Sequence, residues 1–313
     1  MVRFVAARLT SGIILVVVVS AISFWLIYLG SGDIARTIVG DGATDEQVVV
    51  KAQELGLDQP IAAQFLMWSS RAIIGDFGVS WFTNQGISTL ITAKLPVTLS
   101  IAVGSSLVSA AVGIALGVAA ALRRGWLDRA LQIVAIVGFA LPGFWFALVL
   151  VATLSVQAGL FPATGYVPLS ASPSGWLSSL VLPVASLAIG VTAAIAQQVR
   201  SAVIDVLRQD YIRSLRSRGL SGSQIVFKHA LRNASPSALT VLSLQFINLL
   251  GGAVIIERIF ALPGLGQMTL DATVQGDVPV IMAIIVFTIV IVVVVNLILD
   301  VAYGWLNPKV RIA

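Results

Sequence analysis

Six apolar stretches, each long enough to cross a lipid bilayer as a helix, run through this sequence of 313 residues. A helix needs about 20 apolar residues to cross about 30 Å of hydrocarbon, and it suits that environment because its backbone amides bond within the segment. Hydrophobic residues make up 58% of the chain and charged residues only 11%, which excludes a water-soluble globular domain. We therefore predict an all-α polytopic membrane protein with six transmembrane helices. The predicted spans are residues 9–29, 98–122, 130–158, 176–196, 238–256 and 280–304.

The distribution of charge predicts how these spans are oriented. Cytoplasmic loops retain Lys and Arg, and with the N-terminus inside, the cytoplasmic segments hold fourteen of the nineteen basic residues. Ten of the fourteen acidic residues fall on the opposite, external side. We therefore expect a multi-pass protein of the plasma (inner or cell) membrane with both termini cytoplasmic, and the net charge of +5 needs no nucleic acid to explain it. The five external basic residues are Arg36, Lys51, Arg71, Lys94 and Arg258.

Two polar segments divide the chain. Residues 1–29 are the cytoplasmic N-terminus and first span, residues 30–96 an external helical segment, and residues 97–313 a five-helix core with a cytoplasmic loop at 199–237. In the external segment, Thr44 and Gln47 predict a capping box. We interpret this segment as a packed cap, with direct contact to a ligand as the alternative.

The sequence contains no energy-converting or catalytic site. A phosphate-binding loop of the form G-x-x-x-x-G-K-[ST] needs Gly directly before Lys, and none of the four lysines has that neighbour. Gradient-driven transporters place ionisable residues inside their spans, and these spans hold almost none. With no cysteine and a single histidine, His229, the chain offers no thiolate or multi-histidine metal site. We expect a protein that is not an enzyme and that obtains its driving force from another polypeptide.

The cytoplasmic loop contains signals for two short helices joined by a glycine. Asp210 favours a helix start, and Gly219 tolerates the left-handed conformation at a helix end. Ser221 and Gln224 form a second capping box, so a further helix is predicted over residues 222–233.

The first of these helices has the composition of a docking element. Tyr211, Ile212 and Leu215 form an apolar stripe beside Arg213 and Arg216. A short helix with apolar knobs and basic flanks suits a groove in a partner protein. The alternative is that the arginines only enforce topology or contact anionic lipid headgroups.

At this loop the sequence resembles the membrane subunits of binding-protein-dependent ATP-binding-cassette importers, specifically the first-permease (B-type) branch of the dipeptide, oligopeptide and nickel family. Residues 211–221 and 229–234 follow the pattern of the family's EAA loop, although Arg213 stands where the general motif has glutamate. Two departures are the sequence of residues 30–34, where the family often has Pro-Gly-Asp-Pro, and Pro236, which comes one residue early. Further family motifs occur in order at residues 55–60 with Gln64, 75–78, 95–99, 140–145, 257–266, 296–300 and 307–311.

The resemblance implies a type I ABC importer transmembrane-domain fold and a transporter subunit. Its partners would be a second, homologous permease subunit, two ATP-binding-cassette ATPase domains that bind ATP and Mg, and an extracytoplasmic solute-binding protein that delivers di- or oligopeptides. No cofactor is expected in this chain itself. The alternatives are an importer for nickel, haem or another small ligand, or an ATP-independent channel or membrane scaffold.

The resemblance also assigns the ATPase-coupling residues, of which Arg213 and Arg216 are expected to meet acidic or carbonyl groups of the ATPase. Polar side chains near or within the spans are candidates to line the translocation path. The alternative is that they pack against or hydrogen-bond neighbouring helices. The segment 263–266 is expected to be a re-entrant turn on the outer side. The ATPase-coupling residues are Asp210, Tyr211, Arg213, Leu215, Arg216, Gly219, Leu220, Ser221, His229 and Arg232. The candidate path residues are Trp145, Gln197, Gln245 and Asn248. The candidate docking residues for the binding protein are Glu257, Pro263, Gly264 and Gly266.

Overall fold

The computed structural model describes residues 2–30, 34–40, 42–123 and 125–306. The departure at 31–33 and the C-terminal motif 307–311 lie outside the described residues. The described residues form helices and connecting loops, with one isolated antiparallel β-bridge between Val79 and Gly86. The helices are α1 (Val2–Gly30), α2 (Ile34–Val39), α3 (Asp45–Glu54), α4 (Ile61–Ile73), α5 (Ile87–Leu122), α6 (Trp126–Ala140), α7 (Gly143–Leu150, continued as a π-helix over Val151–Gln157), α8 (Pro173–Leu207), α9 (Asp210–Ser217), α10 (Gly222–Gln224, continued as a π-helix over Ile225–Ala230), α11 (Leu231–Ile259), α12 (Leu265–Gln275) and α13 (Val278–Leu306).

The chain forms two compact units. The first, here called the core unit, contains Val97–Leu262 and the described residues of Val294–Ala313. The second, here called the N-terminal unit, contains Ala6–Pro96 and Pro263–Val293. The predicted division of the chain at residues 29 and 96 remains a prediction.

Among the described residues, five helices are long and apolar enough to cross a membrane, and α6 with α7 adds a sixth if that bent pair is one span. The predicted span over residues 130–158 is broken in the structure, because α6 and α7 meet at an angle of 98°. The break falls at Leu141, which is extended with ψ 130°, and at Pro142, which precedes the first residue of α7. Proline lacks an amide donor and disfavours the helical conformation of the residue before it.

The N-terminal unit is built around aromatic residues and one buried carboxylate. The predicted capping box is confirmed, since Thr44 Oγ1 accepts from the Gln47 amide and the Gln47 side chain accepts from the Thr44 amide. Buried Asp277 accepts from Ser80 Oγ at 2.5 Å and from the Trp81 amide at 3.3 Å. Asp277 therefore fixes the segment that carries Trp81 against the start of α13.

In the core unit, α5 and α8 approach closely along a row of small residues. Ser105 and Ser109 of α5 donate to the carbonyls of Val184 and Ala188 at 3.3 and 3.1 Å. One and two turns further on, Gly113 and Gly117 leave no room for a Cβ against α8. Small residues at every fourth position let two membrane helices pack backbone to backbone, so this row determines the distance between α5 and α8.

Candidate functional site

The glycine corner of the loop is present as predicted. Helix α9 ends in a Schellman motif, in which the Leu220 amide bonds the Leu215 carbonyl at 3.3 Å and the Gly219 amide bonds the Arg216 carbonyl at 2.9 Å. Gly219 has φ +81°, which is the left-handed region. Because this conformation favours glycine over residues with a Cβ, the sharp turn after α9 depends on this residue.

The Gly219→Ala substitution is expected to lower the free energy of unfolding of the subunit by about 1 kcal/mol, since an L-residue is strained in the left-handed region. Gly222→Ala is the matched control, because both glycines face open space and only Gly219 has a positive φ. The control should be neutral or slightly stabilising at a helix start. The unfolding midpoint of the detergent-solubilised subunit measures both, and equal effects would contradict the role assigned to Gly219.

The helix after the corner begins as predicted but does not end at Asn233. Ser221 and Gln224 form the expected capping box, and the helix then continues without a break from Gly222 to Ile259. Pro236 lies inside α11, as Pro183 lies inside α8. The side-chain amide of Asn233 donates to Tyr211 Oη at 2.7 Å, which ties this helix to α9. The corner is therefore joined rigidly to a membrane-spanning helix.

The apolar stripe of α9 packs in part against its own chain, and its docking in a groove of a partner remains a prediction. Ile212 is fully buried in a cluster with Val203 and Val206 of α8 and with Ile225 and Val226 after the corner. The side chains of Tyr211 and Leu215 are half-buried against the same cluster. Burial of apolar area stabilises this arrangement by roughly 25 cal/mol per Å², so these side chains anchor α9 to the core unit.

The exposed face of the corner is basic. The side chain of Arg213 is 83% exposed, and its 3.7 Å ion pair with Asp210 joins two exposed groups, which contributes little to stability. Arg216 and Arg232 are also exposed, as is Ser221, while His229 and Leu220 are half-buried. Because this pair is exposed and weak, Arg213 can exchange Asp210 for another acidic partner.

Sequence reasoning missed Phe227, which is 67% exposed although it is a large apolar side chain. Phe227 lies in the π-helical segment directly after the capping box, next to exposed Lys228. Its signal in the sequence is an aromatic residue out of phase with its buried neighbours Ile225 and Val226. The accessible surface of the corner thus combines arginines with one aromatic ring.

Of the four candidate path residues, Gln197 is the one that lines the core-unit cavity described here. Gln197 lines a cavity of about 340 Å³ between α5, α6 and α8, and Trp145, Gln245 and Asn248 are not among its lining residues. Asn248 Nδ2 donates to Gln245 Oε1 at 3.1 Å within one face of α11. Trp145 is exposed on α7 and packs edge-on against Phe146. Their role in a path remains a prediction.

Three of the four candidate docking residues are buried within the described chain, and their docking role remains a prediction. Glu257 is fully buried and accepts a hydrogen bond from Thr98 Oγ1 at 2.6 Å. Gly264 and Gly266 are buried at the start of α12, and only Pro263 is exposed. Glu257 is buried because Thr98, far away in sequence, supplies a polar partner, and a buried carboxylate requires one. Of the four, Pro263 is the one whose surface is accessible in this structure.

A second feature that the sequence did not reveal is a bidentate ion pair between α6 and α8. Arg200 Nε and Nη2 donate to the two carboxylate oxygens of Asp128 at 2.5 and 2.7 Å. Gln132 Nε2 also donates to Asp128 Oδ1 at 3.3 Å. The two charged side chains are 25% and 14% exposed, respectively. Two parallel charge-assisted bonds fix orientation as well as distance, so this pair aligns α6 with α8.

Comparison with known proteins agrees with this architecture. Residues 113–312 match the family described as "Binding-protein-dependent transport system inner membrane component", and residues 1–102 match its N-terminal companion family. The chain is 40% identical to a protein of Brucella abortus (strain 2308) named as a peptide transport system permease protein, over 99% of both chains. It is 34% identical to the glutathione transport system permease protein GsiC of Escherichia coli (strain K12), again over 99% of both chains.

A solved structure supports the fold. A chain of the inward-facing MetNI methionine ABC transporter superposes with a TM-score of 0.57 at 20% identity, covering 70% of this chain and 96% of that one. The expected type I ABC importer transmembrane-domain fold is thus confirmed. With its long apolar helices, its fold and a family match over most of its length, this chain belongs to the family of binding-protein-dependent transport system inner membrane components.

Proposed function

We propose that this chain is the permease subunit of an ATP-driven importer of di- or oligopeptides. The names of its relatives from Brucella abortus and Escherichia coli, which cite peptide and glutathione transport, support this class of cargo. In the proposed complex it pairs with a second homologous permease, two ATPase domains that bind ATP and Mg, and an external solute-binding protein. Both termini lie in the cytoplasm, as the excess of basic residues in the predicted cytoplasmic segments supports.

The observation that carries the proposal is the anchoring of the corner. Helix α9 presents a basic outer face, while Ile212 is packed with α8 and with the helix that continues into α11. Packed cores resist continuous deformation, so a displacement of α9 by a moving partner is passed to both long helices. Helix α9 is thus the proposed ATPase contact, through Arg213, Arg216 and Phe227.

The Arg213→Glu substitution tests this contact. We expect ATP-driven peptide uptake to fall about tenfold, because a tenfold change corresponds to about 1.4 kcal/mol of lost interaction, while ATP hydrolysis continues without stimulation by the binding protein. The measurement uses the whole complex in proteoliposomes with the loaded binding protein.

Arg123→Glu is the matched control, since it makes the same charge change at an exposed arginine after α5. That variant should retain uptake. Normal uptake in Arg213→Glu, or an equal loss in both variants, would remove the support for α9 as the ATPase contact.

A further inference from the structure

The N-terminal unit contains a cavity of about 1080 Å³ that the functions above do not use. Its walls come from the end of α1, from α3 and α4, from residues 76–88 and from the start of α13. Small-molecule sites in proteins are concave and usually hold about 300–1,000 Å³. A cavity of this size accommodates a short peptide.

The floor of the cavity is apolar and aromatic. Tyr28, Trp68 and Trp81 line it and are half-buried, and Phe24 and Met282, which also line it, are buried. The Phe24 ring lies 6.2 Å from the ring of Trp68, which lines the same cavity. Aromatic surfaces of this kind bind apolar side chains with large buried area.

The exposed part of the cavity lining includes charged side chains of both signs. The side chain of Arg71 makes no hydrogen bond or ion pair with any described residue, so its guanidinium is available to a ligand. Glu54 pairs with Lys51 at 2.9 Å, and Asp76 Oδ1 accepts from the Gly78 amide at 2.9 Å. One cation and two carboxylates around an apolar floor match a zwitterion with an apolar body, because arginine binds carboxylates through charge-assisted bonds.

A buried amide supplies a further polar contact. Gln64 lines the cavity and is buried. Its Nε2 donates to the carbonyls of Leu57 and Gln59 at 3.4 and 2.8 Å. These bonds leave Oε1 without a donor among the described residues, and the atom is not fully enclosed, so a ligand can reach it. A peptide N–H is such a donor.

The segment that carries Trp81 is held in place by hydrogen bonds within the N-terminal unit, without a ligand. Ser80 donates to Asp277 and also accepts from the amides of Phe82 and Thr83 at 3.3 and 3.0 Å. A prepared wall lowers the entropy lost when a ligand binds.

We propose that this cavity is a binding site for a short peptide with free termini, whose carboxylate pairs with Arg71, whose ammonium meets Glu54 or Asp76, and whose apolar side chain packs on the aromatic floor. The site rests on the proposed function as a peptide importer. It gives this subunit a peptide contact separate from the external binding protein.

Calorimetric titration tests the site directly. The complete importer in lipid nanodiscs, without binding protein or nucleotide, is titrated with the dipeptide alanyl-phenylalanine and with its N-acetylated, C-amidated form. Wild type should bind the free dipeptide, and Arg71→Gln should weaken that binding about tenfold, the effect of losing one charge-assisted interaction. The blocked dipeptide should bind weakly and be insensitive to Arg71→Gln.

Arg36→Gln is the matched control, because Arg36 belongs to the same unit, loses the same charge and does not line the cavity. It should bind the free dipeptide like wild type. Absence of binding to wild type, equal binding by wild type and Arg71→Gln, or an equal loss in Arg36→Gln each overturns the site, and occupancy by a segment of the binding protein then becomes the interpretation of the cavity.

A parallel uptake assay separates this inference from the proposed function. Proteoliposomes with ATP and loaded binding protein should import the dipeptide. Import without Arg71-dependent binding overturns the cavity site alone. Failure of the wild-type complex to import any peptide overturns the proposed function, whatever the titration shows.

Discussion

Replacing Asp128 with alanine is expected to lower the free energy of unfolding of the subunit by about 2 kcal/mol, because Arg200 is left largely buried without its counter-charge. Fully buried pairs lose about 3–5 kcal/mol when one partner is removed, and the residual exposure of 25% and 14% reduces that figure here. Arg200 also lines the apolar cavity between α5, α6 and α8. No acidic residue is among the described residues that line this cavity, so none there can replace the carboxylate.

Asp45→Ala is the matched control for this prediction. The Arg36–Asp45 pair is as short, at 2.6 Å, but its side chains are 41% and 92% exposed. Exposed pairs contribute about 0–1 kcal/mol, so the control should change the unfolding midpoint little.

The double variant Asp128→Arg with Arg200→Asp should recover part of the loss, since it restores opposite charges across the same helix contact. Unfolding of the solubilised subunit is followed by tryptophan fluorescence. Equal midpoints for Asp128→Ala and Asp45→Ala would show that the ion pair does not hold α6 to α8.

Apolar length was sufficient to predict five of the spans, because a bilayer forces every backbone amide to be satisfied within its own helix. Apolar length did not predict the break between α6 and α7 at Pro142. Pro96, Pro183 and Pro236 all lie inside continuous helices, and a tolerated proline and a helix break have the same local sequence signal. The neighbouring helices decide between them.

The corner could be predicted because its signals are local. Gly219 and the Ser221–Gln224 box act within a few residues, and both are present in the structure. The direction in which a side chain points is not determined by its local sequence. Ile212 and Glu257 are buried by partners that lie elsewhere in the chain, and nothing in their own segments distinguishes an anchor from an exposed contact.

The Gly117→Val substitution is expected to have the largest effect on stability, a loss of about 3 kcal/mol in the free energy of unfolding. A Cβ at this position would lie 2.6 Å from the Ala196 carbonyl oxygen and 2.8 Å from Val199 Cβ. The first of these is backbone, so no rotamer change relieves the clash. Helices α5 and α8 would have to separate, which also weakens the Ser105 and Ser109 hydrogen bonds to α8.

Gly251→Val is the matched control, because Gly251 is also inside a helix and a Cβ there meets nothing within 4 Å. It makes the same chemical change and should alter the free energy of unfolding by less than about 1 kcal/mol, the range of helix propensity. Gly117→Ala should fall between the two, because it adds the clashing Cβ but no branch. If all three variants unfold at the same midpoint, the row of small residues on α5 does not determine the spacing of these helices.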